Sequence, residues 1–135
     1  MIRSGFTGFS LLELLIALTI VAILASISVP SYNGFMAKSR RGDAMSALLQ
    51  LQFAQQRWRA DNPAYASDTG ILGQIDDQSP EGYYRLEIET GDAGDFLGKA
   101  IPQGAQQSDT CGVFAINSQG PVEEFPYASA ACWNR

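Results

Sequence analysis

The chain has 135 residues, with 9 Lys or Arg against 14 Asp or Glu and a formal net charge of −5. That acidic balance argues against a general affinity for phosphate backbones. With no histidine and only two cysteines, the usual zinc ligand sets are excluded, and so is catalysis built on a histidine base.

The first eight residues, Met1–Gly8, form a polar leader whose only ionisable side chain is Arg3. An apolar run from Phe9 to Val29 follows, and Glu13 is its one charged residue. Such a run is long enough to span a bilayer, where a charge at the centre of a helix costs roughly 2.5–3.5 kcal/mol. A carboxylate kept there needs a partner. No A-x-A site of small residues closes the run, so the segment is not an ordinary secretory signal. A cut at Gly8 would leave the apolar run on the mature chain, the reverse of normal signal removal, with 8 basic residues against 14 acidic.

Pro30 removes a backbone donor and favours a kink if the helix continues. Helical character resumes beyond it, because Ala44, Ala47, Leu48, Leu51, Ala54 and Trp58 share a stripe about 120° wide at 100° per residue. Met45, Leu49 and Phe53 form a second row on an adjacent face, either an extension of the core face or a contact surface for another subunit. Asp61-Asn62-Pro63 ends the segment, since the residue before proline is pushed out of the α region. The pattern predicts one helix from about Phe9 to about Ala60, loosened near Pro30, Gly34 and Gly42. At 1.5 Å per residue it would be roughly 75–80 Å long, more than the remaining chain can cover. Its first half must be buried by lipid or by other chains.

From Asn62 to Gly82 the composition turns to Pro, Gly, Asp, Ser and Ala, with Ile71, Leu72 and Ile75 as apolar anchors; this reads as a loop. Tyr83–Thr90 alternates, with Tyr84, Leu86 and Ile88 on one face, and predicts a half-buried strand. Further strands are predicted over Phe96–Ile101 and Cys111–Asn117, the last ended by the turn Ser118-Gln119-Gly120-Pro121. The expected class is α+β, a long N-terminal helix packed on a small antiparallel sheet. If the N-terminal segment carries the rest across a membrane, Cys111 and Cys132 meet an oxidising compartment and pair; the alternative is two unpaired thiols. A loop of that size closed by a disulfide stabilises a fold by about 3 kcal/mol in the chain-entropy picture.

Gly8 followed by Phe9-Ser10-Leu11-Leu12-Glu13 and a charge-free run resembles the type IV pilins. In that family a prepilin peptidase cuts after a glycine and the new N-terminal residue is methylated. The alternative site Gly5-Phe6 would put Ser10 in the glutamate's place, so Gly8 is preferred. Pro30-Ser31-Tyr32, Arg40-Arg41, Asp109-Thr110-Cys111-Gly112 and the closing Cys132-Trp133-Asn134-Arg135 are similar to the PilE-type minor pilins. The resemblance implies a leader over 1–8, a transmembrane and filament-core helix half over 9–30, and a periplasmic domain over 31–135 whose C-terminal loop is closed by Cys111 and Cys132.

It also implies roles. Gly8 is the peptidase recognition residue, Phe9 the N-methylated terminus, Pro30 the helix kink, and Glu13 the carboxylate that neutralises the Phe9 amine of a neighbouring subunit during assembly. The competing roles for Glu13 are an intrachain pair or a protonated side chain near the headgroups. The implied function is a minor pilin of a type IV pilus, with other pilin subunits, the prepilin peptidase, the assembly machinery and the bacterial inner membrane as partners before export to the extracellular pilus. Other readings are a pseudopilin of a type II secretion system, a subunit of a competence (DNA-uptake) pilus, and a membrane-anchored binding module. No cofactor or metal is implied, and the acidic balance predicts no direct contact with nucleic acid. Asp76-Asp77, Asp92 and Asp95 lack EF-hand spacing and read as turn residues. Trp58, Tyr83, Tyr84 and Trp133 read as core and strand residues rather than an adhesive patch. No G-x-S-x-G elbow is present, so the chain reads as an enzyme's substrate and not as an enzyme.

Overall fold

The apolar stripe around Leu48 needs a partner surface, and the computed structural model, which describes residues 8–91 and 94–134, supplies it as a four-stranded sheet. The elements in chain order are α1 (Leu11–Asp61), α2 (Thr69–Leu72), β1 (Tyr84–Thr90), β2 (Phe96–Pro102), a 3-10 turn (Gly104–Ser108), β3 (Phe114–Asn117), β4 (Gly120–Val122) and α3 (Ala130–Trp133). The leader residues before Gly8, together with Asp92 and Arg135, lie outside the described residues. The α+β class holds, and helix α1 runs through Pro30, Gly34 and Gly42 as one 51-residue element.

The chain divides into two compact units, the first ending at Met36 and the second running Ala37–Arg135. In the first unit no described side chain is buried, and its only element is helix. The second unit holds the whole core. Ala44, Ala47, Leu48 and Leu51 of α1 pack on Tyr84 and Leu86 of β1, Phe96 and Ala100 of β2, and Phe114 and Ile116 of β3. All neighbours in the sheet are antiparallel, in the order β1-β2-β3-β4, which is a simple meander. Strand β2 alternates strictly between buried and half-buried positions, as expected of a strand with one face on a helix. Gly98 sits where helix and sheet come closest: a Cβ there would lie 2.8 Å from Leu51 Cδ2 and 3.3 Å from Ile116 Cγ2.

Two strand boundaries differ from the sequence expectation. Strand β3 starts at Phe114 instead of Cys111, because Gly112 adopts a left-handed φ of 61° and turns the chain beside the Cys111–Cys132 disulfide. A fourth strand forms where only a turn was expected. Asn117 Oδ1 accepts from the backbone of Gln119 and Gly120, so the reversal is made within Asn117–Gln119 and Gly120–Val122 returns as an edge strand. Pro121 is tolerated there because an edge strand needs no donor on its outer side.

The loop 62–82 is tied down by buried polar groups that no hydrophobic pattern marks. Gln55 donates to Ala66 O at 2.8 Å and accepts from Ala66 N at 2.9 Å. The Asp43 carboxylate accepts from the Ser79 hydroxyl and from the backbone of Glu81 (3.0 Å) and Tyr83 (3.3 Å). Within the loop, Asp68 caps the one-turn helix α2 and Gly73 ends it in a left-handed conformation.

Candidate functional site

Each unit leaves apolar helix surface with nothing covering it. In the first unit Phe9 is 79% exposed, and Leu11, Leu12, Leu14, Leu15, Ile16 and their apolar successors to Val29 are exposed around the whole helix. The window there reaches a mean hydropathy of 2.5, long and apolar enough to cross a membrane. Gly8 opens the described chain with no atom within 4 Å of the place a Cβ would occupy. Glu13 lies in the first turn of α1, where a carboxylate also complements the positive end of the helix dipole. Among the described residues it has no ion-pair partner within the chain.

In the second unit the row left open by the sequence splits. Met45 joins the edge of the core, while Leu49 and Phe53 stay outside, Phe53 with 76% of its surface exposed. At about 100° per residue Phe53 points roughly opposite Leu51, so this face looks away from the protein's own sheet. Helix α1 here is covered on one side only.

The polar anchor of this unit is a knot at its helix entry. Arg41 meets Asp109 with two hydrogen bonds, Nε–Oδ2 at 2.8 Å and Nη2–Oδ1 at 2.6 Å. Gln106 Nε2 donates to the Tyr84 hydroxyl (2.9 Å), to Asp109 Oδ2 (3.2 Å) and to Ala37 O (3.0 Å), tying the 3-10 turn to the helix. Burial pushes the Tyr84 hydroxyl up to about 12. The hydrogen bond to Asp109 raises the Arg41 guanidinium above its ordinary value. Two stretches that carried the resemblance, Arg40-Arg41 and Asp109-Thr110-Cys111-Gly112, are thus direct partners.

The other sequence candidates are dispersed. Tyr84 and Phe114 meet edge-on in the core, and Trp133 packs edge-on against Phe114. Tyr83 lies under the Arg40 guanidinium at 4.6 Å, while Trp58 lines an open groove beside the loop 62–82. Asp95 accepts from the backbone of Phe96 and Ser118, a turn-fixing role. Arg85 pairs with Glu87, and Lys99 with Glu87 and Glu89. Among the described residues, Lys38, Arg57 and Arg59 have no carboxylate within 4.0 Å. The arrangement offers packing surfaces and fixed loops.

Comparison with known proteins places these features. The model of the family described as "Type IV minor pilin ComP, DNA uptake sequence receptor" matches residues 30–115. A second, the "Prokaryotic N-terminal methylation motif", matches residues 3–29. The chain is 31% identical over 85 residues to a type IV major pilin protein PilA of Myxococcus xanthus, covering 63% of this chain and 39% of that one. It is 32% identical over 85 residues to a type II secretion system core protein G of Klebsiella pneumoniae, covering 62% and 61%. It therefore spans less than two thirds of the length of these relatives. A solved type IV pilin from Shewanella oneidensis superposes with a TM-score of 0.52 at 27% identity, over 69% of this chain and 98% of that one.

Proposed function

The chain belongs to the type IV pilin family, and on that premise we propose that it is a structural filament subunit, cut between Gly8 and Phe9, methylated on Phe9 and assembled by packing α1 among the helices of other subunits. The observation that carries this reading is the bare apolar surface of α1 in both units, with Glu13 the only charge between Phe9 and Val29. Lipid can cover the first unit before assembly. Leu49 and Phe53, on the side of α1 away from the sheet, need a protein neighbour.

In this reading residues 1–8 are a leader removed by a prepilin peptidase. Residues 9–30 lie in the inner membrane until assembly, Pro30 marks a bend, and 31–135 form the periplasmic domain. The unpartnered Glu13 meets the Phe9 amine of a neighbouring copy or another pilin. An isolated charge in an apolar surround is costly, whereas a paired and hydrogen-bonded set is tolerated. The chain is a peptidase's substrate and not an enzyme. The test is Glu13→Ala: processing is retained and incorporation into filaments drops. Normal incorporation of that variant refutes the role of Glu13.

For the finer assignment, the match of residues 30–115 to a ComP-type minor pilin favours a minor subunit of a DNA-uptake system over a secretion pseudopilin. The same description favours direct contact with DNA, contrary to the expectation from net charge. Binding follows local potential and not the total charge, and Lys38, Arg57 and Arg59 are exposed cations. A gel-shift titration of duplex DNA at several salt concentrations tests this. Lys38→Ala or Arg59→Ala should weaken binding and reduce the salt slope by about 1. No binding at low salt would return the chain to a purely structural role.

A further inference from the structure

The apolar run of α1 ends at Val29, yet large aromatic side chains continue past it on bare helix. Tyr32 is 63% exposed and Phe35 70%. The small and polar residues Ser31, Asn33 and Gly34 around them are exposed as well. Tyr32 and Phe35 are three residues apart, so they share one face of the helix.

The length of the run sets where that face lies. From Leu11 to Val29 the helix rises about 28 Å at 1.5 Å per residue. A bilayer's hydrocarbon core is about 30 Å thick, and its headgroup layers add about 5–8 Å on each side. With Val29 at the hydrocarbon boundary, the backbone of Tyr32 lies about 5 Å further along the axis and that of Phe35 about 9 Å. Every Cα–Cβ bond of a helix tilts toward its N-terminus, so both rings reach back toward the run and into the headgroup layer. A tyrosine suits that layer, because its ring takes the apolar side while its hydroxyl stays among water and headgroups. Phe35 adds apolar area on the same face.

Hydroxyls deeper in the run are already satisfied by the helix itself. Thr19 Oγ1 donates to Leu15 O at 2.8 Å, and Ser26 Oγ donates to Ile23 O at 2.7 Å, as a hydrocarbon surround requires. Polar needs at this level are thus met without a protein neighbour. The change from self-satisfied hydroxyls to open aromatics falls where hydrocarbon would give way to headgroups.

We propose that Tyr32 and Phe35 form an interfacial anchor, which seats in the headgroup layer of a phospholipid bilayer and sets how deep α1 stands before assembly. The inference rests on the reading of residues 9–30 as a membrane-held run and adds the surface that fixes its depth. The depth matters for Glu13, which lies about 3 Å inside Leu11 at the other end of the run. A slide of the helix toward Tyr32 would carry that carboxylate further into hydrocarbon, at a cost that grows toward the centre.

The test places a nitroxide spin label on the full-length chain in phosphatidylcholine vesicles, through Ile27→Cys. Cys111 and Cys132 are paired, so the new thiol is the one that reacts. Depth is read from the label's collision rates with oxygen and with a water-soluble nickel chelate. Tyr32→Leu with Phe35→Leu lengthens the apolar run and removes the anchor, and should move the label about 3–5 Å deeper, two or three residues of helix rise. Tyr32→Trp with Phe35→Trp keeps an interfacial pair and should leave the label where it is. Both positions are exposed on a helix, so a failure of folding does not account for a shift. A shielded label that ignores the leucine pair, or moves as far with the tryptophan pair, overturns the anchor and leaves the membrane reading standing. A depth that follows Lys38→Ala and added phosphatidylglycerol instead puts charge in the anchor's place and also overturns it. A label open to the nickel reagent in the otherwise unaltered chain overturns the anchor and the membrane reading together.

Discussion

Arg41 and Asp109 are 68 residues apart in sequence, yet they form the two-pronged ion pair that joins α1 to the turn before Cys111. Asp109 also accepts from Gln106, and its side chain is only 3% exposed, so neither charge can be removed without leaving the other without its partner in the fold. Breaking a buried pair of this kind by removing one partner costs about 3–5 kcal/mol. Arg41→Ala is expected to lower unfolding free energy by about 3 kcal/mol in urea denaturation. Arg41→Lys should recover only part of the loss, since an ammonium cannot reproduce the fork. Equal stability of Arg41→Ala and the wild type would contradict this anchoring role.

Gly98 makes the second testable contact. Its missing side chain leaves room for Leu51 Cδ2 and Ile116 Cγ2 over β2, and both residues are fully buried. Gly98→Ala should destabilise the protein by about 1–3 kcal/mol through overpacking, measured by the same denaturation curves. Pairing it with Leu51→Ala should recover part of that loss, because the two side chains compete for one volume. An additive double variant would show that the close approach is not what selects glycine here.

Tyr84 ties stability to pH at the alkaline end. Burial pushes its hydroxyl up to about 12 from an ordinary 10.0. Below pH 10 both folded and unfolded states hold the proton, and the group adds no pH dependence. Between pH 10 and 12 the unfolded chain releases it while the folded one retains it, so stability falls as pH rises. At about 1.4 kcal/mol per unit the loss is of order 2–3 kcal/mol by pH 12. The stability of the wild type relative to Tyr84→Phe should therefore decline by about that amount over this range. A constant difference would show that the hydroxyl titrates normally.

The sequence made the elements with strong periodicity legible. The apolar stripe through Ala44, Leu48 and Leu51, the alternation from Tyr84 to Ile88 and the lone pair of cysteines each have a local signature. What it left open depends on partners far along the chain. Gln106 and Asp109 look like loop residues until Arg41, Tyr84 and the Ala37 carbonyl are placed beside them. Leu49 and Phe53 share a row with Met45, yet Met45 is buried and the other two are exposed. Strand β4 was hidden because Gly120 and Pro121 are turn formers by composition, and an Asx turn at Asn117 reverses the chain before them.

We propose that α1 begins, in the working protein, at a processed Phe9 and is covered by other subunits. It is tested most directly by intact and N-terminal peptide mass spectrometry of this protein recovered from sheared surface filaments. A mature chain starting at Phe9, heavier by one methyl group and retaining the whole apolar run to Val29, is the expected result. A chain in those filaments that keeps Met1, or one cut beyond Val29, would contradict it.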